Sequence, residues 1–192
     1  MHKTKIFAAA AVLLLGAGLG YSRAERLMTD EKAIKEMLPG ADRVEKVVRT
    51  LTEAEKAVIT GQLGSLSMPG PGKKTADATE YTFYFGMKGD KKTGVALFDS
   101  EPGKWGPVTF IAGLDTGTGK VTNMAVISLS EKRGRPVALR SFLSQFFGKG
   151  KADSFEIGKG VHAIAGATVS TKVAAFSVRK AVVMYDALFL RK

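Results

Sequence analysis

Residues 80–129 read EYTFYFGMKGDKKTGVALFDSEPGKWGPVTFIAGLDTGTGKVTNMAVISL. Four stretches, Glu80 to Gly86, Thr93 to Asp99, Val108 to Leu114 and Val121 to Leu129, are rich in β-branched and aromatic residues, the types that pack well on a pleated surface. The segments between them, GDKK, SEPGKWG and DTGTGK, are dense in the Gly, Pro and Asp that turns require. Connections this short join antiparallel neighbours, so the spacing predicts four strands in meander order.

Working outward, the pattern changes period. Upstream, Thr29-Asp30 opens a helical stretch with apolar Ala33, Ile34, Met37 and Leu38, which Pro39-Gly40 ends. Thr52 and Glu55 make a capping box for a second helix, TEAEKAVITGQLG, closing near Gly61 or Gly64. SLSMPGPGKK, residues 65–74, is a loop. Downstream, residues 139–147 (LRSFLSQFF) read as a short helix. A long one runs from Thr168 to about Leu190, with Val173, Phe176, Ala181, Val182 and Tyr185 along one side. The expected fold class is α+β, a twisted antiparallel sheet with flanking helices.

Composition removes several function classes. The 192 residues carry no cysteine and only two histidines, His2 and His162, which excludes disulfides, thiolate nucleophiles and Cys- or His-built metal centres. The formal charge of +11 arises from lysines and arginines spread from Lys3 to Lys192 and mixed with acids, without a stripe interleaved with aromatics. That distribution argues against nucleic acid and is compatible with an anionic membrane surface, an acidic redox partner or a phosphate-bearing ligand. No Ser-His-Asp arrangement, HExxH, P-loop or GxGxxG occurs.

The N-terminus points to a membrane. Residues 6–21, IFAAAAVLLLGAGLGY, contain no charge and no proline, about the shortest run that spans a hydrocarbon core. The same run suits an export signal, with Ser22-Arg23-Ala24 as a loose cleavage site. We favour an uncleaved single-pass anchor in the inner (cytoplasmic) membrane, with the remainder on the periplasmic, extracytoplasmic side.

Residues 158–176, GKGVHAIAGATVSTKVAAF, are bare of side-chain bulk just where the long helix begins. Two readings stand side by side. Thr168 is a good helix cap, and Gly166-Ala167 merely lets the chain turn. Alternatively, small residues beside the Thr168 hydroxyl, with the unpaired amides and positive dipole end of the helix, favour a phosphate. Lys149, Lys151, Lys159 and Lys172 lie near in sequence and would add to that field.

The stretch AIAGATVST resembles the S/T-G-A-T flavinylation motif of the FMN-binding domain family, found in the membrane-anchored flavin subunits of Rnf-type and sodium-pumping NADH:quinone reductase complexes. The segment SEKRGRPVALRSFLSQFFGK is similar to the family's acid-x-x-Gly segment followed by a short helix ending in Gln-Phe-x-Gly-Lys, here Glu131, Gly134, Gln145, Phe146, Gly148 and Lys149. The likeness covers roughly residues 80–190 together with the N-terminal anchor. It implies residues 1–24 as anchor or signal, 25–75 as a helical linker region and 76–192 as the FMN-binding domain.

The resemblance further implies FMN joined by a phosphoester to Thr168, attached by a separate flavin transferase with FAD as donor. Its other expected contacts are Ala167, Gly166, Ala165, His162, Glu131, Gly134 and Leu139. Two positions depart from the family motif: His162 stands where an Asp is common, and Ala165 replaces the small hydroxyl residue. The implied function is an electron carrier, an oxidoreductase subunit that relays electrons between quinone- or haem-bearing membrane partners and does not turn over alone, since the flavin supplies the redox chemistry. A scaffold module of the same fold without covalent flavin is the alternative, and a free-standing reductase with loosely held FMN a third. Phe142, Phe146 and Phe147 are read as core, and Trp105 as closing the sheet edge.

Overall fold

The structure, a computed structural model, describes residues 24–63, 80–130 and 134–191. The expected anchor, the loop at 65–74 and Glu131 lie outside them. Among the described residues no helix is long and apolar enough to cross a membrane.

Six antiparallel strands form one sheet: β1 (Glu25–Arg26), β2 (Arg43–Thr50), β3 (Glu80–Lys88), β4 (Lys91–Pro102), β5 (Pro107–Leu114) and β6 (Val121–Leu129), in the order β1-β6-β5-β4-β3-β2. The meander from β3 to β6 is as expected, each strand paired with its sequence neighbour. Alternation along the strands divides two cores. Phe110 and Val126 face one side with Phe83, Phe85 and Leu97, whereas Ile111 and Ile127 face the other with Ala96.

Helix α4 (Thr168–Tyr185) covers the larger core, its residues Val173, Ala174, Val178 and Val182 all buried. Helix α1 (Asp30–Met37) covers the smaller one through Ala33 and Met37. Helix α2 (Glu53–Leu63) packs beside α4. Both upstream helix starts form as their sequences predict. Thr29 accepts from Lys32 N, and the capping box closes with Thr52 N donating to Glu55 Oε2 at 2.8 Å and Glu55 N to Thr52 Oγ1 at 3.2 Å.

Three features differ from the sequence expectation. Residues 43–50 are a strand, fully paired with β3, within a region read as helical. RVEKVVRT alternates as an edge strand does, but both faces are largely exposed and its charges serve to blunt the edge, so no apolar face signals it. The two-residue β1 extends the other edge.

The expected short helix at 139–147 forms over 140–146 as one α turn, α3 (Arg140–Leu143), continued by a 3-10 turn over Ser144–Phe146, and an unexpected 3-10 turn over Arg135–Ala138 precedes it. Leu139, extended at ψ 138°, breaks the run. Helix α4 ends in a π turn over Asp186–Leu190, near the expected boundary.

Candidate functional site

The bare stretch 158–168 is held on both sides by its own backbone and by two side chains. Glu156 O accepts from Lys159, Gly160 and Val161 amides, closing a compact loop. Gly160 is required there sterically: a Cβ would stand 2.2 Å from Ser154 O. Gln145, from the 3-10 turn, clasps the next residue, its Oε1 accepting from His162 N at 2.8 Å and its Nε2 donating to His162 O at 3.5 Å. Gly148 N and Val121 N exchange hydrogen bonds with Val121 O and Lys149 O, fastening the QFFGK segment to β6.

A turn follows, with Ala167 N donating to Ile164 O at 3.0 Å and Gly166 at φ +73°. A positive φ at the third position of such a turn is the conformation glycine adopts without steric cost. Among the described residues nothing lies within 4 Å of where a Gly166 Cβ would be, so the space beside Thr168 is open. The glycine is therefore set by backbone conformation and not by packing within the chain.

The cap of α4 is not Thr168. Ala167 occupies the N-cap position, without a side-chain hydrogen bond, and Thr168 is the first helical residue. Thr171 instead ties the preceding turn to the helix, its Oγ1 donating to Ala167 O at 3.0 Å and accepting from Ile164 N at 3.3 Å. The first i to i−4 bond of the helix, Thr171 N to Ala167 O, leaves the amides of Thr168 and Val169 ahead of it.

Of the three hydroxyl residues here, Ser170 and Thr171 are 2% and 0% exposed, whereas Thr168 is exposed. Its hydroxyl has no hydrogen-bond partner among the described residues.

The neighbouring cations are mostly committed. Lys151 pairs with Asp186 at 2.8 Å and Lys159 with Glu156 at 2.7 Å. Lys149 donates to Ser154 O at 3.0 Å. Lys172, one turn beyond Thr168 and exposed, has no ion pair among the described residues and remains available to an anion at the helix start.

The remaining expected contacts divide. Ala165, Gly166, Ala167 and Thr168 are contiguous at the mouth of α4, and His162 joins them as an exposed residue fixed by its backbone. Gly134 is buried and precedes the Arg135–Ala138 turn, which packs against α4, so this segment and the helix are brought together. Leu139, at the far end of that turn, is 57% exposed and available to a ligand or partner surface. Phe142 and Phe146 are core as expected, meeting edge to face with Phe155 stacked on Phe146, whereas Phe147 is only half-buried. Trp105 is 53% exposed, with Lys104 over its ring.

The chain's roles for Gln145 and Thr171 were not legible as site functions. One reaches backbone atoms, which carry no sequence signal, and the other stands where a helix interior was expected.

Residues 103–183 match the FMN-binding domain family. The matched FMN-binding domain segment runs from the β4–β5 turn through most of α4. It thus includes Gly134, His162, the Gly-Ala-Thr turn and Thr168, while the first 102 residues stand outside it. Among solved structures the chain is similar to the crystal structure of Shewanella oneidensis NqrC, at 13% identity and TM-score 0.49, over 76% of this chain and 80% of that one. No curated protein sequence matches.

The local arrangement suits FMN. An exposed hydroxyl, free amides at a helix start, open space over Gly166 and the exposed Lys172 are what a phosphate monoester with a bulky substituent needs.

Proposed function

We propose that the chain is a membrane-associated electron-transfer flavoprotein carrying FMN through a phosphoester to Thr168 Oγ1. The observation that carries this reading is that, of the three hydroxyl residues in the first turn of α4, Thr168 is exposed while Ser170 and Thr171 beside it are buried. When bound, the flavin supplies the electron transfer. The chain's own residues bind and orient: the Thr168 and Val169 amides and Lys172 meet phosphate charge, Gly166 keeps the approach clear, and Gln145 and Thr171 hold the loop in place. His162 borders the same mouth, and Leu139 and the Glu131 to Gly134 segment are the remaining expected contacts.

The same proposal places residues 1–24 as an anchor in the inner membrane, the domain on the extracytoplasmic side, a flavin transferase as the maturation partner and quinone- or haem-bearing subunits as redox partners. Attachment forms the Thr168 Oγ1–P bond and, with FAD as donor, releases AMP and the hydroxyl proton. No chain residue is oxidised or reduced in that step.

The experiment is intact-mass analysis of full-length protein from the carbonate-washed membranes of a host co-expressing a flavin transferase. The expected result is an added FMN less one water, mapped to the tryptic peptide from Gly160 to Lys172. Thr168→Ala should lose the mass and the yellow colour and stay folded, since no bond within the chain is removed. An unmodified wild-type mass would favour the scaffold reading, and colour released on denaturation the reductase with loosely held FMN.

A further inference from the structure

Far from Thr168, the sheet opens. The pairing of β3 with β4 ends at Phe83 and Leu97, although β3 stays paired with β2 through Glu80 and β4 with β5 through Pro102. The two strands part, and a cleft of about 380 Å³ lies between them, bordered by Tyr81, Phe98 and Ser100. At this cleft Asp99, Glu101 and Lys180 converge. Their side chains are 8%, 2% and 8% exposed, and Lys180 Nζ stands 2.5 Å from Asp99 Oδ1 and 2.5 Å from Glu101 Oε1.

One cation between two carboxylates leaves a buried excess negative charge, which burial makes costly. Among the described residues no second cation pairs with either carboxyl. Strand β5 sets apolar Phe110 and Val108 opposite Asp99 and Glu101, and β3 contributes Tyr81. From α4 only Lys180 reaches in, and from α2 Lys56 acts on Tyr81.

A second observation fixes where the charge is relieved. Asp99 Oδ2 is buried without any hydrogen-bond partner, the one such side-chain atom among the described residues. Asp99 and Glu101, two residues apart on β4, face the same side of the sheet and share the Lys180 ammonium. Two ionised carboxylates cannot bond each other, but one protonated carboxyl can donate to the other.

We propose that Asp99 and Glu101 share one proton, with Glu101 Oε2–H donating to Asp99 Oδ2 and Lys180 bridging the other two oxygens, so that this cluster is a proton-binding site reached from solvent through the β3–β4 cleft. The site then holds one positive and one negative charge. Taking up the proton from cleft water forms the O–H bond, and releasing it returns H⁺ to that water and leaves a net negative charge in the cleft.

The direction of titration agrees. Burial, then the neighbouring Asp99, push Glu101 up to about 7 against the opposing pull of Lys180. Lys180 stays an ammonium, because the two carboxyls outweigh the burial that would lower it.

The folded chain thus keeps a proton that the unfolded chain releases from an ordinary carboxyl. Stability conferred by the site is complete on the acid side of 4.5 and is lost as pH rises from there toward about 7. Asp115, held low by Thr118, and Asp186, held low by Lys151 and Arg191 despite burial, change stability only at more acid pH.

The test is chemical denaturation of the full chain against pH, in wild type and Glu101→Gln. The Gln amide reproduces the protonated carboxyl, donating to Asp99 and accepting from Lys180. The expected result is that the wild-type midpoint falls between about pH 5 and pH 8, whereas Glu101→Gln stays flat and is at least as stable as wild type at the alkaline end. In wild type at about pH 6, infrared spectra should show a protonated-carboxyl stretch that shifts on ¹³C-glutamate labelling, when ordinary carboxyls are ionised. A wild-type midpoint flat with pH, a Glu101→Gln protein less stable than wild type at the alkaline end, or no labelled carboxyl band overturns the proposal.

Discussion

Helix α4 does two different things roughly three turns apart. At its start, small residues leave the Thr168 hydroxyl exposed and, among the described residues, without a partner, with the free amides of Thr168 and Val169 beside it. In its second half, Lys180 is sealed against the sheet between Asp99 and Glu101. The first end keeps polar capacity unspent; the second consumes nearly all of its own. Unspent polar groups at a surface cost little because water satisfies them, and they are therefore free for a ligand. Buried groups must find partners within the chain, and the lone unpartnered oxygen of Asp99 is where that requirement is met by a proton.

The comparison breaks most readily at the buried end. Lys180→Met leaves two carboxyls without their cation, and a loss of about 3–5 kcal/mol is expected at neutral pH. Urea denaturation checks it. A loss no larger than that of a surface substitution would mean that the cluster is solvated in solution. The variant should also recover stability on acidification, as the second carboxyl takes a proton.

At the exposed end the largest effect should come from Thr171, which ties the preceding turn to the helix, and not from Thr168. Thr171→Val keeps the β-branched shape but leaves Ile164 N without its acceptor and removes a bond to Ala167 O. Destabilisation of about 1–3 kcal/mol is expected, with lower flavin occupancy because the loop before Thr168 loosens. Thermal unfolding together with the absorbance ratio of flavin to protein measures both.

The smallest effect sharpens the reading of Gly166. Its φ of +73° makes Gly166→Ala cost about 1 kcal/mol, whereas the open space around it predicts no steric clash within the chain. If flavin occupancy falls far more than stability does, the open space belongs to the ligand. If the two fall together, the glycine serves the turn alone.

How much was legible follows the same division. The strands β3 to β6 announce themselves because each alternates between two apolar environments and is bounded by turn residues. The edge strand β2 does not, since an exposed edge has no buried face to pattern. The Gly-Ala-Thr turn is visible because its requirements are local: a glycine for the positive φ, a small cap and a hydroxyl in consecutive positions. The expectation that Thr168 could be the cap was off by one residue, because Ala167 holds the cap position and Thr168 is already helical.

By itself, then, the sequence determined an antiparallel α+β domain, the absence of thiolate and histidine metal chemistry, and the small-residue junction at Thr168. Each of these rests on period, composition or neighbours along the chain. Only the tertiary structure decided which hydroxyl is exposed, which lysines are neutralised and that Lys180 is a core residue. Those properties depend on what β4 and α4 bring together across a long sequence separation, and burial changes the meaning of a charge in a way no local pattern records.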